Sequence, residues 1–491
     1  MLLRSDPTLL ASAQSKANAL GILNRNIYVH SGNTRLKEER EGRTSLHRQR
    51  WQWEILMGTN TMINLSKLLT CLIVAFSLFP SLRAEDAAKA DPIVLIQPDH
   101  KNGVYKTGET IIFTITVSKS GVLLTDGKID YDLLIDGVKS SSGTMALSKR
   151  GVMVSSKLTK PATLRIEVSY MDSGKVIKGK VGVIADPYEI KPALAAPADF
   201  EEFWKKQKKL LAAIPMNPKM TSVDQSPEHM DSGLPLECYD LQLDCLDGKQ
   251  VHAYFAKPIN AKPRSLPAIL NLPSGGIKGA SRRAAMNGAK KNMLSIDMNA
   301  FGVLNGQVES YYQGLATGEL KDWKTLGINS PQTFHFLWVY MRMVRAIEFL
   351  AAQPEWDGKT LIVTGGSQGA GMALVAGGLD DRVSEIQASE PGFCDLTGYL
   401  LDRQSVWSYK KPEERTLAYY DACNFVPEIK NAKVFVEVGL VDTTCPASGV
   451  LAAYNRLICP KNIKIIPLGG HGNLSPADLK DPDYSHSSSS H

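Results

Sequence analysis

One serine stands in a sequence context that favours nucleophilic chemistry. Ser367 lies in the segment Gly-Gly-Ser-Gln-Gly at residues 365–369, directly after the apolar run 361–363. A strand that leads through small residues into a helix is the context of a nucleophile elbow. A phosphate- or cofactor-binding loop is the alternative, but a Gly-x-Gly-x-x-Gly segment after the first strand and a P-loop Lys-Ser/Thr pair are both missing. We therefore predict that Ser367 is a nucleophile.

A serine hydroxyl needs a general base. In folds with a nucleophile elbow, the chain order is serine, acid, histidine. Three histidines follow Ser367, and two of them, His486 and His491, lie in a Ser-rich tail. His471 follows the predicted strand 463–467 and two glycines. We predict that His471 is the base, the alternative being a surface histidine.

The acid that orients the histidine is expected just after a strand between the serine and the histidine. Asp442 follows the predicted strand 434–438 and is our candidate for this role. Glu437, inside that strand, and Asp421, on a preceding helix, are the two rivals. For the oxyanion we predict two backbone N–H donors, those of Gln368 and of Gly275, which follows the apolar strand Leu266–Leu272.

Strands and helices alternate from about residue 236 onward, as expected for a mostly parallel sheet covered by helices on both faces. The predicted catalytic domain is 188–477, and its first helix has Phe200, Phe203 and Trp204 on one face and lysines on the other. Residues 478–491 are polar and are predicted to be disordered.

Short runs rich in Val, Ile and Thr, separated by turn residues, fill residues 88–187. We predict a small all-β domain of the Ig-like sandwich type here. Such a domain either binds carbohydrate or serves as a spacer. Because its aromatic residues are not clustered for stacking on sugars, the spacer is favoured.

The N-terminal segment has the features of an export signal. Lys67 precedes an apolar run at 68–79, and residues 81–84 end in alanine before two acidic residues. We predict a signal peptide over 62–84 that starts near Met57 or Met62, with 1–61 a mis-called start or a disordered extension. A signal anchor or a buried helix is the alternative. The expected location is therefore periplasmic or extracellular, without a membrane span after signal removal.

The charge of the chain gives little reason to expect nucleic acid as a partner. Residues 1–84 carry 11 Lys/Arg and 5 Asp/Glu, which leaves 45 residues of each sign in 85–491. Without the signal the formal charge is zero, so nucleic-acid binding is not expected. Cys-x-x-Cys motifs and Cys/His clusters with zinc spacing are also missing, and we expect neither a cofactor nor a metal.

Taken together, these motifs resemble the acetyl xylan esterase / cephalosporin C deacetylase family over roughly residues 190–475. The resemblance rests on the Gly-Gly-Ser-Gln-Gly elbow combined with Asp-Thr-Thr-Cys-Pro at 442–446. It also includes Pro-Ala-Asp-Phe-Glu-Glu-Phe-Trp at 197–204, Arg-Ala-Ile-Glu-Phe-Leu at 345–350 and Pro-Glu-Trp-Asp at 354–357. Ala-Ala-Tyr-Asn at 452–455 and His471 complete it.

The resemblance implies an α/β-hydrolase fold, with Ser367, Asp442 and His471 as the triad and Gln368 as an oxyanion residue. It further implies an esterase that removes acetyl groups from xylan, xylo-oligosaccharides or other acetylated sugars. Three segments differ from the family pattern. His-Gly-Tyr reads Pro-Ser-Gly at 273–275, Arg-Gly-Gln reads Asn-Ala-Phe at 299–301, and Gly472 replaces the glutamate that often follows the histidine.

Two other functions are compatible with an elbow of this kind. One is a serine peptidase of the prolyl-oligopeptidase kind, although a propeller domain would favour it and a single small sandwich does not. The other is a non-catalytic carbohydrate-binding protein with a degenerate hydrolase domain, against which the intact Ser/Asp/His set speaks.

Overall fold

The computed structural model describes residues 91–223, 235–409 and 413–472. The predicted start extension (1–61), the signal peptide (62–84) and the polar tail (478–491) lie outside the described residues. Within the described ranges, none of the helices combines the length and the apolar character needed to cross a membrane.

Residues 91–185, called here the β-domain, form nine strands in two sheets. One sheet contains β1, β3, β4 and β7, and the other has the order β2-β9-β8-β5-β6. The strands are β1 (Ile93–Pro98), β2 (Val104–Tyr105), β3 (Thr110–Lys119), β4 (Val122–Leu123), β5 (Lys128–Ile135), β6 (Val138–Ala146), β7 (Val152–Lys157), β8 (Ala162–Asp172) and β9 (Lys175–Ala185).

The two sheets of the β-domain share one apolar core. On β3, the alternating residues Ile111, Phe113, Ile115 and Val117 are fully buried, because alternate side chains of a strand point to the same face of the sheet. They pack in the same cluster as apolar side chains of β8 and β9. Burial of both inner faces therefore holds the β-domain together.

Residues 219–466 contain a third sheet, with nine strands in the order β10-β11-β12-β14-β13-β15-β16-β17-β18. The pairs β10–β11, β11–β12 and β12–β14 are antiparallel, and the remaining five pairs are parallel. The strands are β10 (Lys219–Ser222), β11 (Leu236–Asp244), β12 (Gln250–Pro258), β13 (Leu266–Leu272), β14 (Leu294–Met298), β15 (Trp356–Gly366), β16 (Glu385–Ser389), β17 (Lys433–Gly439) and β18 (Lys461–Ile466).

Helices pack against the sheet, and all of them except the first lie between its parallel strands in the chain. The first is amphipathic as predicted, with Phe200, Phe203 and Trp204 buried and most of its lysines exposed. The helices are α1 (Phe200–Ala212), α2 (Arg282–Lys290), α3 (Glu309–Thr317), α4 (Phe336–Ala352), α5 (Gln368–Leu379), α6 (Glu414–Leu417), α7 (Ala422–Phe425) and α8 (Ala447–Arg456).

The parallel strands bring the predicted chemical groups to one edge of the sheet. β13, β15, β16, β17 and β18 are neighbours, and their carboxyl ends face the same way. Clefts at this edge are the usual position of sites in open α/β sheets. The segments that follow β13, β15, β17 and β18 are those that contain Gly275, Ser367, Asp442 and His471.

Candidate active site

Ser367 occupies a tight turn between β15 and α5. Its φ of +56° and ψ of −120° lie outside the regions that non-glycine residues normally adopt. The turn is tied to the end of β16 and to the segment after it, because Ser367 N–H donates to the Ser389 carbonyl (3.0 Å) and Gly392 N–H donates to the Ser367 carbonyl (2.8 Å). The strained backbone is therefore held by hydrogen bonds on both sides.

Two glycines allow strand, turn and helix to approach this closely. A Cβ on Gly365 would overlap the backbone of Gly369, and a Cβ on Gly369 would overlap the carbonyl of Leu272. Neither glycine has a positive φ, so close packing of three backbone segments, not turn conformation, requires the missing side chains.

The structure brings Ser367, His471 and Asp442 into one hydrogen-bonded row. His471 Nε2 lies 3.0 Å from Ser367 Oγ, and His471 Nδ1 lies 2.8 Å from Asp442 Oδ2. If Nδ1 donates its proton to Asp442, Nε2 is left as the acceptor for the serine hydroxyl. This is the arrangement that a nucleophile, its base and an orienting acid require.

Asp442 sits in the acid loop, residues 440–446, which follows β17. Its carboxylate is buried, and its Oδ1 accepts N–H groups from Thr444 (2.7 Å) and Cys445 (2.9 Å). These bonds leave Oδ2 for His471. The charge of a buried acid is thus balanced by backbone donors and by the imidazole.

The two rival acids lie elsewhere. Glu437 is inside β17 as predicted, where it accepts a hydrogen bond from the Ser389 hydroxyl at 2.9 Å. Asp421 is the N-cap of α7, and its carboxylate accepts the N–H groups of Asp395 and Leu396. Burial raises the pKa of Asp421 to about 7, with the neighbouring Asp395 carboxylate adding to the effect. Neither contacts His471.

A further carboxylate, which sequence reasoning missed, lies beside the histidine. Glu390 follows β16 directly, and its Oε2 is 3.5 Å from His471 Nδ1 and accepts the Gly472 N–H at 2.6 Å. Burial raises the pKa of Glu390 and the nearby Asp442 carboxylate adds to the rise, whereas the Gly472 N–H opposes it. Its position at the end of a parallel strand was the one available signal in the sequence.

The predicted oxyanion donors lie on neighbouring segments. Gln368 is the first residue of α5, so its N–H has no acceptor within the helix and points outward at the helix N-terminus. Gly275 follows β13, and a Cβ on it would lie 3.6 Å from the Gln368 side-chain oxygen. The Ser274 hydroxyl donates to the Gly366 carbonyl (3.3 Å) and connects the two segments.

A cluster of aromatic side chains lines the site at the carboxyl edge of the sheet. Trp323 and Trp407 meet edge to face at 5.2 Å, and a Trp323 ring atom lies 3.9 Å from the Cβ position of Gly275. Trp407 also stacks on Phe336 at 5.6 Å and has a positive φ of 59°. This aromatic cluster is adjacent to the proposed oxyanion donors and was not predicted, because its members come from segments that are distant in the sequence, Phe336 being the first residue of α4.

One group of side chains could in principle hold a metal ion. Ligand atoms of Asp442, Cys445 and His471 lie within 4.8 Å of one another. Burial raises the pKa of the Cys445 thiol, however, and its Sγ lies 3.9 Å from Ser367 Oγ. Both imidazole nitrogens already lie within hydrogen-bonding distance of Asp442 and Ser367, which accounts for two of the three side chains without a metal. The six described cysteines, Cys238 and Cys245 among them, are buried and unbridged.

Comparisons with known proteins identify similar esterases. The acetyl xylan esterase family model matches residues 185–484. The acetyl esterase Axe7A of Xylanibacter ruminicola is 28% identical over 422 residues, which cover 83% of this chain and 93% of the relative. The structure of an acetyl xylan esterase from Paenibacillus sp. R4 is 27% identical, has a TM-score of 0.50, and covers 60% of this chain and 95% of that chain.

The fold and these relatives define the protein as an α/β-hydrolase that cleaves carboxylic esters. More specifically, the chain belongs to the acetyl xylan esterase family, as its motifs predicted. The alignment with Axe7A covers more of the chain than the family model does, so the similarity to that relative includes residues outside 185–484.

Proposed function

We propose that this protein is an exported serine esterase that removes acetyl groups from xylan, xylo-oligosaccharides or other acetylated sugars. The observation that carries the proposal is the hydrogen-bonded row from Ser367 Oγ through both nitrogens of His471 to Asp442. The names of the relatives, an acetyl esterase and an acetyl xylan esterase, supply the substrate class.

In the first half of the reaction, His471 Nε2 takes the proton of the Ser367 hydroxyl as its oxygen attacks the ester carbonyl. The carbonyl oxygen becomes an anion, which the N–H groups of Gln368 and Gly275 stabilise. The sugar oxygen then leaves and takes the proton from His471, and an acetyl-serine remains. Asp442 stabilises the imidazolium while it exists.

In the second half, a water molecule takes the place of the sugar. His471 accepts a proton from the water as it attacks the acetyl-serine, and returns that proton to Ser367 when the bond breaks. Acetic acid leaves, loses its proton to the solvent to become acetate, and the free enzyme is regenerated. The protons exchanged between Ser367, the sugar oxygen and the attacking water all move through the imidazole of His471.

Export and the β-domain form the remaining part of the proposal. The charged, apolar and small-residue segments over 62–84 support a signal peptide, and with it a location where plant polysaccharide is accessible. The two sheets with a shared core support an Ig-like sandwich for the β-domain.

The proposal is tested by measuring acetate release from acetylated xylan and acetylated monosaccharides, alongside amine release from a panel of peptides. The Ser367→Ala variant is the control for uncatalysed hydrolysis. We expect acetate from the sugar esters and no cleavage of the peptides. Efficient peptide cleavage without acetate release would instead support the peptidase alternative.

A further inference from the structure

Strand β9 of the β-domain lies directly against the backbone of the acid loop. Gly182 is buried there, and a Cβ on it would overlap the carbonyl group of Leu440, two residues before Asp442. Gly182 N–H also donates to the carbonyl of Pro467 at 2.9 Å, four residues before His471. One glycine therefore contacts the backbones that lead to both the acid and the base.

A second contact comes from the same strand. Lys180 Nζ donates to the Val441 carbonyl at 3.3 Å, next to Asp442 in the chain. Leu468, in the segment 467–472 that we call the histidine loop, packs against the core of the β-domain. The β-domain thus holds the main chain on both sides of the Asp442–His471 hydrogen bond.

A third contact comes from the turn between β5 and β6. The Asp136 carbonyl accepts the Gln404 N–H (2.8 Å), and Gln404 Nε2 donates to the Thr443 carbonyl (2.6 Å). A Cβ on Gly137 would overlap the Gln404 side chain, which shows how tightly the turn packs on it. The acid loop is therefore also held at the carbonyl of Thr443, the residue that follows Asp442.

The two loops are also bonded to each other, so a shift in one is passed to the other. Leu440 N–H donates to the Ile466 carbonyl (2.9 Å), and Val441 N–H donates to the Gly469 carbonyl (3.1 Å). The β-domain therefore contacts two loops that are bonded to each other. The relative position of these loops sets the distance between Asp442 and His471.

We propose that the β-domain positions the acid and histidine loops of the esterase through Gly182, Lys180 and the Asp136–Gln404–Thr443 contacts. The inference rests on the proposed function and replaces the predicted spacer role with a part in catalysis. These are positioning residues, because they act through Asp442 and His471 and do not touch the substrate.

The test compares Gly182→Ala with Gly179→Ala in the full-length protein. Both glycines lie on β9 without a positive φ, but a Cβ on Gly179 would approach Val94 of β1 (2.9 Å) and not the loops. The variants are matched in chemistry and strand, so a general weakening of the β-domain affects both. Thermal melting monitors that weakening.

The first readout is the turnover of p-nitrophenyl acetate. Because a displacement of about 1 Å far from the chemistry can lower the rate by about 100-fold, we expect Gly182→Ala to lower kcat by about 30-fold or more. KM should change by less than about threefold, since the ester itself is not contacted. Gly179→Ala should leave both constants within about twofold of the parent values.

The second readout needs no substrate. We expect the proton between His471 Nδ1 and Asp442 Oδ2, which are 2.8 Å apart, to give a far-downfield NMR resonance, assigned by its loss in His471→Asn. Gly182→Ala should shift or broaden it, and Gly179→Ala should not. If the parent protein cleaves no ester, the proposed function fails, but this resonance still decides the positioning role.

An unshifted resonance together with an unchanged kcat in Gly182→Ala would overturn the proposal, as would equal effects in Gly179→Ala. If Gly182→Ala does not fold, Lys180→Met is compared with Lys178→Met by the same two readouts. Lys178 lies on the same strand and, within the described part of the chain, makes no hydrogen bond to the loops. A loss of kcat confined to Lys180→Met supports the proposal, and equal values in the two variants overturn it.

Discussion

Glu390 Oε2 lies 3.5 Å from His471 Nδ1, the nitrogen that also contacts Asp442 at 2.8 Å. The imidazole therefore faces two carboxylates. That of Asp442 is buried, and that of Glu390, directly after β16, is half-buried. Glu390 also holds the Gly472 N–H and so fixes the residue after the histidine. We expect Glu390 to stabilise the positive charge that forms on His471 and to help hold His471 in position.

Replacing Glu390 with glutamine should lower activity at pH 8. Two unit charges about 4 Å apart interact by about 1 kcal/mol in water and more near a protein surface, so a loss of roughly fivefold in kcat is expected. The amide oxygen can still accept the Gly472 N–H, so the loop should keep its position. Steady-state kinetics of Glu390→Gln measures the effect, and a kcat equal to that of the parent would contradict it.

The same substitution should stabilise the protein in a pH-dependent way. Because burial raises the pKa of Glu390, folding favours its neutral form, and stability is lost as pH rises through the folded-state pKa. Glutamine carries no such penalty. The melting temperature of Glu390→Gln relative to the parent should therefore be higher at pH 8 than at pH 4. The exposed Asp381→Asn serves as control, and a difference independent of pH would contradict the account.

Asp442→Asn should leave the fold intact and reduce kcat strongly. An amide in this position can donate to His471 Nδ1 and so favours the tautomer that cannot accept the Ser367 proton; in a related triad such a change costs about 10⁴-fold. We expect a loss of about 10³–10⁴-fold with KM nearly unchanged. Glu437→Gln is the matched control, because Glu437 is on the preceding strand and does not contact His471. Equal losses in both variants would contradict the assignment.

Gly369→Ala should destabilise the elbow. A Cβ there would overlap the Leu272 carbonyl, and forcing extra atoms into a packed site costs about 1–3 kcal/mol. Gly314→Ala in α3 meets open space and should have no such cost, since alanine favours helix. Urea unfolding of both variants measures the difference, and an unchanged midpoint for Gly369→Ala would contradict the packing argument.

Trp323→Ala should broaden the choice of acyl group. The indole ring stands beside Gly275, where it limits the space next to the proposed oxyanion donors. Removing it should raise the rate on p-nitrophenyl butyrate relative to p-nitrophenyl acetate by about tenfold, the scale on which one or two methylenes are discriminated. An unchanged ratio would mean that Trp323 does not limit the acyl pocket.

The candidate triad was easier to predict from the sequence than the residues and strands around it. Chain order and strand context were enough to single out Ser367, Asp442 and His471, which the fold brings into hydrogen-bonding distance, because each follows an apolar strand that has its own signature. Strand β6 could not be predicted, since its Ser-rich, largely exposed sequence has no apolar alternation to reveal an edge strand. Glu390 was missed because a carboxylate at a strand end becomes informative only when the neighbouring strand is known.

The role of the β-domain illustrates a similar limit. Its composition argued for a spacer, whereas its contacts with Leu440 and Pro467 depend on Gly182, which looks unremarkable within β9. A glycine weakens a strand. Close approach of another backbone is one of the few structural reasons for a glycine at such a position. Only the fold shows which backbone approaches.

The most direct test of the central claim is acetate release from acetylated xylan by the parent protein and by Ser367→Ala, measured side by side. We predict that the parent releases acetate and that the variant loses about 10⁴–10⁶-fold in kcat while melting at the same temperature, because the nucleophile of the acetyl-enzyme is missing. Release by the variant within about tenfold of the parent, or none by the parent, would contradict a Ser367-dependent acetyl esterase.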